Sequence, residues 1–263
     1  YLGQNATISC CEVLNSLIFP SHEQHHNNSF LCAALIMGQS NIAAGATIGS
    51  NHNSRAPDGE FVAGRGFWPG LCVSIKHNTR FASFTILAKA DYSYELNIPI
   101  PFSLVSNNLA LNRLEVMPAY WFMYNMYALA RNSWKYGDRD KKVPPFQAME
   151  YDYLAPDTVN EMFSSLEMIA SFVGNAFYKK EGSKKAYTHQ QYVAKGKELL
   201  ESGAVTDEEL EAEGFENSKR KVVLVKAGKA YSIFKQMIQL YGTMHLIALI
   251  ENNKLNGMDE LHQ

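Results

Sequence analysis

The sequence predicts a mainly β chain with an α-helical end: a left-handed parallel β-helix over residues 1–105, followed by a helical region over 106–263. Three observations lead there. Bulky apolar residues recur every six positions in three stretches. The two breaks in that phase fall on polar segments bearing Gly or Pro, as corner loops should. Beyond residue 105 the hexads give way to helix caps and helical stripes.

The first stretch is led by Leu2, Ile8 and Leu14, the second by Phe30, Ile36, Ile42 and Ile48, the third by Ile75, Phe81 and Leu87. The middle one reads FLCAAL, IMGQSN, IAAGAT, IGSNHN, with the small residues Ala34, Ser40 and Ala46 four places behind each leader. In a triangular coil the leaders fill the interior and small residues fit the corners. A helix fails this pattern, because a six-residue period drifts off the helical turn within two repeats. Ile36, Ile42, Ile48, Ile75, Phe81 and Leu87 are therefore expected inside. Residues 20–29 and 54–70 are expected to loop out at corners, and loops leaving one stack are where a site is readily built.

After NIPIPFSLV (97–105) the composition changes. Residues 118–135, rich in Trp, Tyr and Met on all faces, predict a deeply buried helix that starts near Pro118 and stops before Gly137. Thr158 with Glu161, Thr188 with Gln191 and Thr206 with Glu209 read as capping boxes, and Gly203 and Gly214 as helix ends. A last helix runs from about Lys229 to Glu251.

The 263 residues carry 24 Lys+Arg against 26 Asp+Glu, a balance that lacks the basic surface nucleic-acid binding needs. No run of about 18 uncharged apolar residues is present, which argues against a membrane span. Cys10, Cys11, Cys32 and Cys72 form no CxxC pair, which fits a reducing, cytoplasmic setting. Tyr1 falls inside the repeat pattern, so the expectation is the C-terminal coils of a longer β-helix.

His22-Glu23-Gln24-His25-His26 matches HExxH letter for letter, but that motif binds zinc only on a helix. Here Pro20-Ser21 and Asn27-Asn28-Ser29 flank it, so no metal is assigned. The stronger cluster is IGSNHNSRAPDGE (48–60) with AGRGFWPG (63–70). His52 leaves the best-formed hexad, where a neutral imidazole can take a proton from an acceptor hydroxyl or amine. Asp58 and Glu60 can orient it or the acceptor, Asn51 and Asn53 can position the substrate, and Arg55 and Arg65 can hold an anionic group. Gly64, Gly66 and Gly70 form no phosphate loop, since no helix signal follows. Lys76, His77 and Arg80, about one coil on, are expected to flank the same groove. The alternative is an asparagine ladder at coil corners with solvated charges.

The hexads make residues 1–105 resemble the trimeric hexapeptide-repeat acyltransferase superfamily. GSNHNSR, the GRGFWPG segment and the order of β-helix then helices are more similar to an uncharacterised bacterial hexapeptide-repeat family. The resemblance implies a homotrimer, sites in grooves between subunits, and His52 as a general base serving transfer from acyl-CoA or acyl carrier protein. The substrate so implied is a small molecule, an anionic sugar derivative or sugar nucleotide. The sequence departs from that pattern in lacking regular hexads after its histidine loop and in its long tail. A non-catalytic trimeric scaffold or binding module, or a sugar-phosphate or nucleotide enzyme, are the other readings.

Overall fold

Alternating inward and outward residues make short strands, and the chain lays these strands into three positions in rotation. The computed structural model describes residues 1–50, 59–140, 147–182, 185–205 and 208–253. A first parallel sheet stacks Cys11–Leu14, Ser29–Cys32, Thr47–Ser50, Ser74–Lys76 and Asp91–Tyr92. A second stacks Leu17–Ile18, Ala34–Ile36, Phe61–Ala63, Arg80–Phe81 and Asn97–Ile98. On the third side Thr7–Ile8 pairs with Glu23–Gln24, and a single bridge joins Glu23 to Asn41. Above them Trp68–Pro69, Ile86–Leu87 and Leu104–Asn108 continue in parallel.

Register puts like beside like. Val13, Leu31, Ile48, Ile75 and Tyr92 form one inward column, and Ile18, Ile36, Ala63, Phe81 and Ile98 another. Ile36, Ile42, Ile48, Ile75, Phe81 and Leu87 are all buried in one hydrophobic cluster. Complete burial of such a side chain contributes about 1.5–3 kcal/mol, so these columns are the main source of stability. The turns between strands pass through left-handed residues, including Ala33, Gln39 and Gly45, each one place before a small buried residue. A larger side chain at Ala34, Ser40 or Ala46 would crowd the turn it follows.

The expected fold class is corrected. The described residues form several parallel sheets, one six-stranded mixed sheet and a helical C-terminal region, not a left-handed β-helix closed at residue 105. The third-side sheet runs on through Arg113–Met117, antiparallel to Leu104–Asn108, then Lys221–Leu224 and Leu210–Glu211. A six-residue period dictates which side chains turn inward and that strands pair in parallel. It carries no information on how the stack ends or what is added to its edge.

Smaller corrections follow from the same registers. In the early coils Val13 and Leu31 face inward, whereas Leu2 and Leu14 are exposed and Phe30 is half-buried. Residues 20–29 are therefore no loop but a side of the stack carrying Glu23–Gln24. Successive inward partners lie 17 or 18 residues apart, except Ile48 to Ile75 and Ile36 to Ala63, which are 27 apart. One insertion accounts for this, and it is over by Phe61 rather than at residue 70.

The tail differs in detail as well. Residues 118–135 form two helices, α1 (Tyr120–Tyr124) and α2 (Met126–Arg139), broken at Asn125. Trp121 and Leu129 are buried but Tyr124, Tyr127 and Trp134 are exposed, so burial is one-sided. α3 (Pro156–Lys180) starts at Pro156, with Thr158 accepting from the Ala155 N–H rather than acting as the cap. α4 (His189–Glu201) has the expected Thr188–Gln191 box. Thr206 lies outside the described residues. Instead of a helix, the segment behind it holds the strand Leu210–Glu211, with Glu209 bonded to Arg113. α5 (Ala227–Asn253) closes the described chain. Among the described residues no helix is long and apolar enough to cross a membrane.

Candidate functional site

The insertion that carries His52 is rooted at both ends on one corner of the stack. His52, Asn51, Asn53, Arg55 and Asp58 lie outside the described residues. Ser50, just before them, is the Cα partner of Lys76, where the register shifts. Gly59, just after, sits so close to Asn78 that a Cβ there would lie 2.7 Å from the Asn78 Cβ. Glu60 is exposed beside it, and Val62 then pairs with Arg80. The two roots thus bracket the segment Lys76–Arg80.

The corner is charged and braced. Lys76 Nζ donates to Glu95 Oε1 at 3.1 Å, and Asn217 Nδ2 donates to Glu95 Oε2 at 2.8 Å. The Asn217 hydrogen bond and the Lys76 ammonium together hold the Glu95 carboxyl below the ordinary carboxylate range. His77 is buried and Arg80 is exposed. Sequence reasoning missed Glu95 and Asn217. Glu95 was traceable, because it lies one circuit beyond Lys76, but nothing in the sequence marks Asn217.

Arg65 is elsewhere. Its guanidinium is bidentate to Asp157 at 2.9 Å, also donates to Gln39 and the Asp152 carbonyl, and lies over the Phe84 ring. It fastens the start of α3 to the stack. Next to it, Glu161 accepts from the Ser83 N–H at 3.0 Å. Burial pushes the Glu161 carboxyl up to about 7, while the Ser83 N–H pulls the other way.

The HExxH letters form a buried polar network in extended chain. His22 Nδ1 meets Ser40 Oγ at 2.7 Å and His22 Nε2 meets Gln24 Oε1 at 3.1 Å. Gln24 Nε2 donates to Ser29 Oγ at 3.1 Å. Burial lowers the His22 imidazole to about 4, so it stays neutral inside, with both ring nitrogens engaged. His25 and His26 are exposed. Among the described residues no three His, Cys, Asp or Glu side chains gather to hold a metal ion.

A groove runs along the third side, between Asn41 and Trp68 on the stack and α1–α2. Its inner end is a cavity of about 160 Å³ reaching Glu23, Trp121, Asn132 and Lys135. Its outer part, about 490 Å³, reaches His26, Ile86, Tyr120 and Asn125. Trp121 is fixed by donating its Nε1–H to the Phe84 carbonyl at 2.6 Å, and its ring lies 5.8 Å from that of Trp68. Lys135 Nζ lies 3.5 Å from Glu23 Oε1.

No protein-family model and no solved structure matches the chain. It is 49% identical over 246 residues to an uncharacterized protein of Treponema pallidum (strain Nichols), an alignment covering 94% of this chain. The same alignment covers 33% of that relative, so the chain spans about a third of the length of the bacterial protein it matches.

Proposed function

We propose that the chain transfers an acyl group to a sugar or sugar nucleotide at the insertion corner, with acyl-CoA or acyl carrier protein as donor. The observation that supports this reading is the rooting of the His52 insertion at Lys76 and Asn78. Those two roots stand on a corner that carries Lys76, Glu95 and Arg80, the polar groups an acceptor and its anionic part would need. In the reaction His52 takes the proton of the acceptor hydroxyl or amine as that atom attacks the thioester carbonyl. The carbon–sulfur bond then breaks, and the departing thiolate recovers the proton. Asp58 or Glu60 orients the imidazole or the acceptor, and Asn51 and Asn53 position it. Arg55, Lys76, His77 and Arg80 hold the anionic part. Arg65 leaves this set, because its donors are taken by Asp157, Gln39 and Asp152. A cytoplasmic site of action belongs to the same proposal and rests on four cysteines that are free thiols. A panel of acetyl-CoA, UDP-N-acetylglucosamine and glucose 1-phosphate is expected to raise the thermal midpoint with at least one member, through mass action on the folded state. No response to any of the three would count against the transferase.

The scaffold reading draws on α5. From Gln236 to Ile250 that helix carries no Asp, Glu, Lys or Arg. Leu240, Met244, Leu246, Ile247 and Leu249 are exposed on it. Ile233, Met237, Leu240, Met244 and Ile247 alternate steps of four and three, the spacing of a coiled-coil seam. We propose that these helices gather in a homotrimer. Light scattering is expected to give three times the 29.5 kDa chain mass, and a monomer for M244E/I247E. A monomeric parent chain at micromolar concentration would refute the assembly.

A further inference from the structure

We infer that the third-side groove is a second ligand site, and that its ligand is a neutral saccharide. The argument rests on what lines the groove and on none of the residues assigned to acyl transfer. Asn41, Asn125 and Asn132 all line it, all are half-buried, and none makes a side-chain hydrogen bond to another described residue. Half-buried carboxamides that bond to no other side chain can exchange their water for the groups of a ligand. Each carboxamide offers a donor and an acceptor side by side. The complementary group is one that also donates and accepts at once, which is a hydroxyl.

The aromatic component narrows the class. Trp68 lines both parts of the groove, and the buried Trp121 backs it and is locked by its bond to Phe84. An indole wall beside convergent amides suits a ring that has an apolar C–H face and a hydroxylated edge. Charge argues against a phosphorylated ligand. Lys135 is engaged by Glu23, and Arg131 is exposed at the rim, so no cluster of cations converges as a phosphate would need. The volumes, about 160 and 490 Å³, leave room for roughly one or two sugar rings. The groove is also built rather than accidental. Glu23, Asn41 and Trp68 project from successive levels of the stack, while Leu129, Asn132 and Tyr136 recur along one face of α2, in line with its N-cap Asn125.

Titration of the full chain with glucose, N-acetylglucosamine and maltose, followed by tryptophan fluorescence and thermal midpoint, tests this. A saturable response to at least one of the three is expected at millimolar concentration. The N41A/N132A double variant changes only half-buried amides, so its fold should persist. It is expected to weaken that response about tenfold or more. The response should survive in H52A, which separates this groove from the acyl-transfer corner. The inference is overturned if none of the three sugars gives a saturable change, if N41A/N132A binds as the parent chain does, or if inorganic phosphate alone reproduces the signal.

Discussion

Replacing His52 with alanine is expected to leave fold and assembly intact while lowering acyl-transfer turnover by about two to four orders of magnitude. The fold should survive because the inward columns pass directly from Ile48 to Ile75 and from Ile36 to Ala63. The rate should fall because an acceptor hydroxyl is a poor nucleophile until a base takes its proton. H77A is the matched control. His77 is buried at the same corner, so its loss should perturb binding or stability before the chemical step. Measuring kcat separately from KM for both variants decides the matter. An H52A protein with unchanged kcat would remove His52 as the base and bring the scaffold reading forward.

The second large effect concerns how the helical region is fastened. D157A is expected to cost about 1–3 kcal/mol of stability, because it takes a bidentate, charge-assisted partner from a buried guanidinium. The Arg65 side chain is 7% exposed and that of Asp157 45%, so the two partners are not equivalent. Losing the carboxylate leaves a buried cation held only by Gln39 and the Asp152 carbonyl, whereas R65M leaves a half-exposed carboxylate that can rehydrate and should cost less. Urea unfolding of the two variants would show this order. A loss below about 1 kcal/mol in D157A would mean that Gln39 and the Asp152 carbonyl alone satisfy Arg65.

The same cluster sets a pH dependence. Burial pushes the Asp157 carboxyl up, but the hydrogen bonds and charge of Arg65 more than offset it, and the net value is low. Its stabilisation is therefore complete above the ordinary carboxylate value and is lost as pH falls through the lower folded one. Glu161 has the opposite sign. Its folded value is raised from 4.5 to about 7, so its contribution is complete below 4.5 and is lost as pH rises through about 7. E161Q keeps an acceptor for the Ser83 N–H and removes the charge. At pH 8 it is expected to be more stable than the parent chain by about 3 kcal/mol, a difference that vanishes near pH 4.5. Equal stability of the two proteins at both pH values would show that Glu161 ionises without penalty.

The sequence by itself determined the inward residues of the middle and later coils. A bulky side chain every six positions can be buried only if strands stack in parallel, and Ile36, Ile42, Ile48, Ile75, Phe81 and Leu87 obey that rule. It also indicated that the backbone leaves the stack at the end of the hexad led by Ile48, and the described chain departs at Ser50, beside Lys76. Three matters were decided only by tertiary structure. The handedness and closure expected of the stack did not follow from the period, since the sheet edge at Leu104–Asn108 was free to take Arg113–Met117 and then strands from more than a hundred residues on. The role of Arg65 was decided by Asp157, 92 positions away, because a guanidinium binds whichever carboxylate the fold brings to it. The groove at Trp68 arose because the chain breaks at Asn125, between α1 and α2, and α2 then lies beside the stack. Spacing along a chain fixes which residues of one element share a face. Which two faces meet is settled by packing between elements, and local sequence does not encode it.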